Sequence, residues 1–307
     1  MSDKLLVLDT PSLYFRAFYG VPESVTAPDG TPVNAVRGLI DFMARLVRDR
    51  QPTRMVAAMD ADWRPAWRVE RLPSYKAHRV GPGGGDQTPD ALAVQVPIIE
   101  AVLDAVGICR MGLPDYEADD VIGTLATTAG CAVDVVTGDR DLFQLVRDDQ
   151  PVRVIYTAKG VGAATAWDEA AVAAKYAIPG RRYADLAILR GDPSDGLPGV
   201  AGVGEKTAAA LVSRFGSAED VLAAAAAGDD GGFPAGARRK VLAALDYLEH
   251  APAVVRVVCD LALPPHDSTL PREPRDPQAL LALSDRWGLE SPLNRLLNAV
   301  GTAPIAG

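Results

Sequence analysis

The sequence predicts an α/β fold, with a central, mainly parallel β-sheet, flanking helices and a smaller helical region beyond it. Three observations lead there. Short apolar runs at residues 4–9, 54–60, 132–137 and 152–157 read as strands buried on both faces. Segments between them carry apolar residues at helical spacing, as in Val36, Leu39, Ile40, Met43, Leu46 and Val47. Three of the runs lead into acids, Asp9, Asp60 and Asp139, at the carboxyl end of the sheet, where ligands of open α/β folds gather.

In chain order, the strand at 4–9 is followed by Tyr14, Phe15, Arg16, Phe18 and Tyr19, an aromatic cluster with one cation. Such a cluster is either core and turn or a surface for bases and phosphates. A helix is expected over 33–50. After the second strand, Arg64, Arg68, Arg71, Lys76 and Arg79 interleave with Trp63, Trp67 and Tyr75. A phosphate chain favours that composition, although a solvated basic helix shares it. Gly81-Pro82-Gly83-Gly84-Gly85 interrupts this arch and predicts a mobile segment. A helix from Thr88, closed by Gly107, and a short strand at 108–111 follow.

Residues 114–120 then place four carboxylates, Asp115, Glu117, Asp119 and Asp120, within six positions. Asp115 is expected to cap the following helix, with Glu117 and Asp120 on one face and Asp119 beside them. Taken alone this is an ordinary acidic helix start. Asp139 and Asp141 follow the strand at 132–137, and a helix is expected from 141. Another helix, at 183–189, leads to Asp192, Asp195 and the glycine-punctuated stretch 199–207. That stretch is no Walker loop, because Glu205 separates Gly204 from Lys206, and no dinucleotide fingerprint, because Thr207 stands where the third glycine belongs. It reads as a helix-hairpin-helix, whose backbone amides and helix N-terminus receive a phosphate. A loose turn at 228–232, a helix from Arg238 through 248, an extended proline-rich tail and one last helix around 280–283 complete the chain. The tail carries no legible chemistry.

Composition narrows the function. The 307 residues are 48% hydrophobic and 23% charged, with three isolated cysteines and three histidines, so disulfide frameworks and histidine-based or zinc chemistry are disfavoured. No apolar run is long enough for a membrane span or shaped as a signal peptide, and a cytoplasmic, stand-alone monomer is expected. The net charge of −9 argues against nucleic acid only if charge is spread evenly. Collected, Asp9, Asp60, Glu117, Asp119, Asp120, Asp139, Asp141, Asp192 and Asp195 would reach one rim of the sheet. Uncompensated, they would repel one another and take up protons. Hard divalent cations resolve this, and all-oxygen ligands select Mg2+ or Mn2+. Two such ions roughly 3.5–4 Å apart suit phosphodiester hydrolysis.

The motifs Asp9, Asp60, Tyr75-Lys-Ala-His-Arg79, Tyr116-Glu-Ala-Asp-Asp-Val-Ile-Gly-Thr-Leu-Ala126, Thr137-Gly-Asp-Arg-Asp-Leu142, Gly191-Asp-Pro-Ser-Asp195 and Leu197 to Ala208 stand in one order over residues 4–250. Together they resemble the bacterial 5′-nuclease family of flap endonucleases and 5′→3′ exonucleases, which also supplies the N-terminal nuclease domain of DNA polymerase I. The resemblance implies a 5′-nuclease or PIN-like core over 1–180 with a helical arch at about 62–95, a DNA-binding helix-hairpin-helix region over 181–260, and a tail over 261–307 packed on the core. It implies a first metal held by Asp9, Asp60, Glu117, Asp119 and Asp120, and a second held by Asp139, Asp141, Asp192 and Asp195. Lys76 and Arg79 would contact the scissile phosphate. Tyr75 or Tyr14 would stack on the terminal base, with Arg16 and Arg190 on the DNA. The hairpin with Gly202, Gly204, Lys206 and Thr207 would grip duplex DNA and hold K+. Substrates would be flapped, nicked or 5′-ended duplex DNA, with an RNA primer as a further candidate. Gly196 departs from the family's usual Asn and Arg140 from its Lys, and the three glycines imply an arch unordered without DNA. Two other readings compete: a DNA-binding relative without catalysis, and a small-molecule phosphohydrolase with an Asp9 nucleophile, against which Pro11 stands where a second Asp is wanted.

Overall fold

A computed structural model describes residues 3–81, 83–85, 87–228 and 231–302. Pro82 of the glycine-rich segment, Asp229 and Asp230 of the expected turn, and residues 303–307 of the tail lie outside the described residues.

Six strands form one sheet in the order β3-β2-β1-β4-β5-β6. They are β1 (Lys4–Asp9), β2 (Arg54–Ala58), β3 (Cys109–Met111), β4 (Ala132–Thr137), β5 (Val152–Tyr156) and β6 (Thr165–Trp167). The first five run parallel, and β6 returns antiparallel to β5. From β1 the chain winds outward through β2 and β3, then crosses back to β4 on the other side. The switch point therefore lies between β1 and β4, where a crevice opens at the strands' carboxyl ends. Register brings those ends level, with Asp9 opposite Ala58 and Leu8 opposite Val136.

Both sheet faces are covered, which is why the strands read as continuous apolar runs. Leu6, Leu8, Met55 and Ala57 point to one core with α2 (Asn34–Arg50), α5 (Val96–Val106) and the two C-terminal helices α13 (Pro277–Trp287) and α14 (Glu290–Val300). Leu5, Val7, Val56 and Val135 point to the other, with α6 (Ala118–Thr128), α8 (Tyr183–Arg190), α9 (Glu205–Phe215), α10 (Ala218–Ala226) and α12 (Leu245–Val255). The remaining helices are α1 (Thr10–Gly20), α3 (Ala66–Arg71), α4 (Asp90–Ala93), α7 (Glu169–Tyr176) and α11 (Ala237–Ala243).

Several expected elements change on folding. The helix read from Thr88 is two pieces, α4 and α5, the second closed by Gly107 in the left-handed region. The segment at 141 is a 3-10 turn, Asp141–Leu145. The helix from Arg238 breaks at Ala244 into α11 and α12. The tail holds two helices rather than one, and α14 packs its Leu293, Leu296 and Leu297 against α2. Asp115 is no cap: it lies at φ +66°, its carbonyl accepts from Trp67 Nε1 at 3.0 Å, and Glu117 is the N-cap of α6. Among the described residues of the arch, the helical pieces are α3, a 3-10 turn, Ala77–Arg79, and the single turn of α4. Gly81 and Gly85 close a backbone turn, with the Gly81 amide donating to the Gly85 carbonyl at 2.7 Å.

Candidate active site

Asp9 ends β1 and serves as N-cap of α1, its Oδ1 accepting from the Ser12 amide at 3.2 Å. Its Oδ2 accepts from Thr137 Oγ1 at 2.5 Å, across the switch point. The same Thr137 oxygen accepts the Asp139 amide at 2.8 Å, so one threonine sets two acids from neighbouring strands. Asp60 lies two residues beyond β2, and its Oδ1 accepts from the Ala118 amide at 2.7 Å, holding the start of α6 against the strand end. Glu117 and Asp119 follow from that helix start.

These groups line one cavity of about 430 Å³, with carboxylates Asp9, Asp60, Glu117, Asp119, Asp139 and Asp192 and cations Lys76, Arg79 and Arg140 on its wall. Asp141 and Asp195 stand beside it. Asp195 pairs with Arg79 at 2.9 Å, and the charge of Asp141 couples to Asp139, Asp195 and Asp192. Among the described residues no three of these acids already converge on one point as a ready metal cage. Instead Lys76 Nζ rests on Glu117 Oε2.

The electrostatics record the crowding. Burial raises the pKa of Asp9 to about 7; its bonds to Thr137 and Ser12 oppose the rise, and the charges of Asp60 and Asp139 add to it. Asp119 is pushed well above the usual carboxylate range by burial and then by Asp9, Asp139 and Glu117. Asp141 rises for the same kind of reason, and Asp195 rises through burial despite Lys76. Burial alone would depress the Lys76 ammonium, but Tyr75, Glu117, Asp195 and Asp119 more than offset it and hold its pKa well above the ordinary value. Without added positive charge, burial and crowding favour the protonated forms of Asp9, Asp119, Asp141 and Asp195.

The structure places three of the expected site residues away from the cavity wall. Asp120 faces the interior: its oxygens accept from both terminal nitrogens of Arg68, at 2.8 and 2.6 Å, and from the amides of Val258 and Glu117. A carboxylate so occupied has no free direction toward the cavity. Tyr75 is buried, with its hydroxyl donating to Glu117 Oε1 at 2.8 Å, so its ring is not free for a base. Tyr14 packs half-buried toward the core clusters, and the aromatic on the cavity wall is its neighbour Phe15, joined by Trp63 and Tyr156. Helical phase was the missed signal: Phe15 shares a face of α1 with Pro11 and Ser12 at the cavity, and Tyr14 does not.

Arg16 lies over Gly138, where a Cβ would come within 2.8 Å of its Nη2 and 2.9 Å of Ser12 Oγ. Its Nη1 donates to the Ala158 carbonyl at 3.0 Å, and its Nε is buried without a hydrogen-bond partner among the described residues. Arg190 reaches Asp192 at 3.4 Å and Glu205 at 3.5 Å. The hairpin joins α8 to α9: the Val200 amide donates to the Leu189 carbonyl and the Val203 amide to the Val200 carbonyl, both at 2.9 Å. Gly199 and Gly191, both at positive φ, touch backbone to backbone, where a side chain on either would collide. Gly204, the N-cap of α9, and Lys206 are exposed, Thr207 is half-buried, and Gly202 presents its carbonyl to Lys240 Nζ at 2.8 Å.

Comparisons with known proteins show the family and the fold. Residues 4–177 match the 5'-3' exonuclease N-terminal resolvase-like domain, and residues 178–278 match the 5'-3' exonuclease C-terminal SAM fold. A 5'-3' exonuclease of Streptomyces coelicolor is 58% identical over 96% of this chain and 99% of its own length. One of Mycobacterium tuberculosis is 49% identical over 99% and 100%. DNA polymerase I of M. tuberculosis is 47% identical over 71% of this chain, which spans 24% of the polymerase. Among solved structures, T5 5'-exonuclease with bound zinc shares the fold at TM-score 0.65 and 18% identity, covering 83% of this chain and 90% of that one. The catalytic core of Rad2 in complex with DNA shares it at TM-score 0.60 and 15% identity, covering 97% and 92%. The chain belongs to the 5'-3' exonuclease family.

Proposed function

We propose that the protein is a divalent-metal-dependent, structure-specific 5′-nuclease that hydrolyses DNA phosphodiesters at 5′ flaps and 5′ ends. The observation that carries this reading is the single cavity at the switch point, where six carboxylates meet Lys76 and Arg79. The donor set is all hard oxygen, burial and neighbouring acids raise the proton affinity of Asp9 and Asp119 within it, and it fits Mg2+ or Mn2+ rather than zinc. Asp9, Asp60, Glu117 and Asp119 would hold one ion, and Asp139 and Asp192, backed by Asp141 and Asp195, a second. Ions bound there would activate a water and offset charge on the leaving oxygen.

The chain's own groups do the rest. Lys76 would leave Glu117 for the scissile phosphate and, with Arg79, stabilise its developing charge. Phe15, on the cavity wall, would stack on the terminal base. Arg16, Arg190 and the amides at the start of α9, with Lys206 and Thr207, would hold the backbone of the duplex downstream. The hairpin already carries a cation in Lys240, and a K+ there would have to share or displace it. The T5 flap endonuclease and Rad2 structures are described as complexes with DNA, which supports the substrate class. Use on RNA primers and action as a monomer complete the proposal. No helix among the described residues is long and apolar enough to cross a membrane.

A labelled 5′-flap duplex tests the reading. Cleavage with Mg2+ or Mn2+, its loss in EDTA, and its loss in Asp139→Asn and Lys76→Ala with DNA affinity retained are the expected results. Full activity in both variants would refute it, as would cleavage of a phosphate monoester but not of DNA.

A further inference from the structure

Arg68 belongs by sequence to the basic arch, yet the residue is only 2% exposed. Its Nη1 donates to Glu117 Oε1 at 2.9 Å and to Asp120 Oδ2 at 2.8 Å, and its Nη2 to Asp120 Oδ1 at 2.6 Å. Its Nε donates to the Val254 carbonyl of α12 at 3.0 Å, and the guanidinium lies 4.5 Å over the Trp67 ring. One side chain thus joins the arch base, the acidic start of α6 and the helical region. Such a residue cannot meet a phosphate. It acts on the cavity through Glu117, whose Oε1 is taken by Arg68 and Tyr75 while Oε2 meets Lys76 on the cavity wall.

We infer that Arg68 is a positioning residue for the acid wall. Its planar fork clamps Asp120, which in turn accepts the Glu117 amide and fixes the first turn of α6. Its second Nη1 bond holds the inner oxygen of Glu117, so that the outer oxygen points into the cavity and a divalent cation finds it aimed. Asp120 is then Arg68's counter-ion, not a metal ligand. The assignment rests on the nuclease reading. A role in stability alone would not need this geometry, because a buried ion pair is often replaced without loss by well-packed apolar side chains. Two oxygens of different residues held by one rigid donor is what a positioning role requires.

The test compares the full-length wild type with Arg68→Lys, Arg68→Met and the double variant Arg68→Met/Asp120→Asn. Three quantities are read: Mn2+ affinity without DNA, by the free-ion EPR signal; melting temperature in EDTA; and kcat and KM on a 5′-flap duplex. Arg68→Met is expected to weaken Mn2+ binding at least tenfold and to lower kcat more than KM, with Arg68→Lys between. The double variant, with both buried charges gone, is expected to regain the wild-type melting temperature in EDTA but not the Mn2+ affinity. Wild-type Mn2+ affinity in the single or the double variant overturns the assignment, and the double variant decides it if Arg68→Met does not fold. A wild type that neither binds Mn2+ nor cleaves the flap refutes the nuclease reading itself, which is a different result.

Discussion

Gly196 and Ser74 meet backbone to backbone: a Cβ on Gly196 would fall far inside contact distance of the Ser74 carbonyl oxygen. The next residues confirm the seam, since the Lys76 amide donates to the Asp195 carbonyl at 2.9 Å. The loop that carries Asp192 and Asp195 is thereby stitched to the arch base that carries Lys76. An asparagine at 196, which the family pattern favours, has no room here, and φ is +70°. Gly196→Ala is expected to move Lys76 and Asp195 apart. The left-handed backbone alone costs about 1–2 kcal/mol, and kcat on a flap should fall at least tenfold. A melting curve and single-turnover cleavage check both.

Asp9 makes stability depend on pH with a definite sign. Its pKa is raised on folding from about 3.8 to about 7, so the native state binds more protons than the unfolded chain between those values. Stability of the metal-free protein must then fall as pH rises through that window, each tenfold step in proton affinity being worth about 1.4 kcal/mol. In EDTA, the melting temperature is expected to drop from pH 5 to pH 8, with a shallower drop in Asp9→Asn. Millimolar Mg2+ or Mn2+ should reverse the trend at pH 8, since an ion at 100 times its Kd adds about 2.7 kcal/mol. Calorimetry across pH reads this directly.

Gly138 leaves the space that Arg16 fills. Gly138→Ala is expected to push the guanidinium off its seat against the Ala158 carbonyl and weaken DNA binding several-fold, without changing Mn2+ affinity. Fluorescence anisotropy over a salt series separates the effects: loss of one phosphate contact lowers the slope of log K against log salt by about 1.

Phe15 rather than Tyr14 faces the cavity. Phe15→Ala is expected to cost about 1–3 kcal/mol in binding of a 5′-terminal nucleotide, the usual worth of one base on an aromatic face. Tyr14→Phe should leave flap cleavage unchanged. Measured kcat/KM for the two variants checks the pair.

Much of this was legible in the chain, for physical reasons. Asp9, the last residue of β1, and Asp139, two residues past β4, were legible because the apolar runs before them set them at the carboxyl edge of the sheet. The sheet was readable because both its faces are covered and its strands are apolar throughout. Asp120 was not readable: its partner Arg68 is 52 residues away, and only the fold shows that the pair turns inward. The start of α6 slipped from Asp115 to Glu117 because Glu117 and Asp120 form their own capping box. Of the two tail helices only the first was read; α14 was missed, although Leu289, Leu293, Leu296 and Leu297 carry a helical stripe that α2 completes.

The acids on the cavity wall are drawn from residues 9, 60, 117, 119, 139 and 192, and α8 must pack before the last of them arrives. During synthesis, the growing chain therefore carries most of its acidic groups long before it can close the wall around them. The wall is complete only once residue 192, nearly two-thirds of the way along the chain, has joined it. The packing that joins α8 to the sheet is thus also what completes the acidic wall.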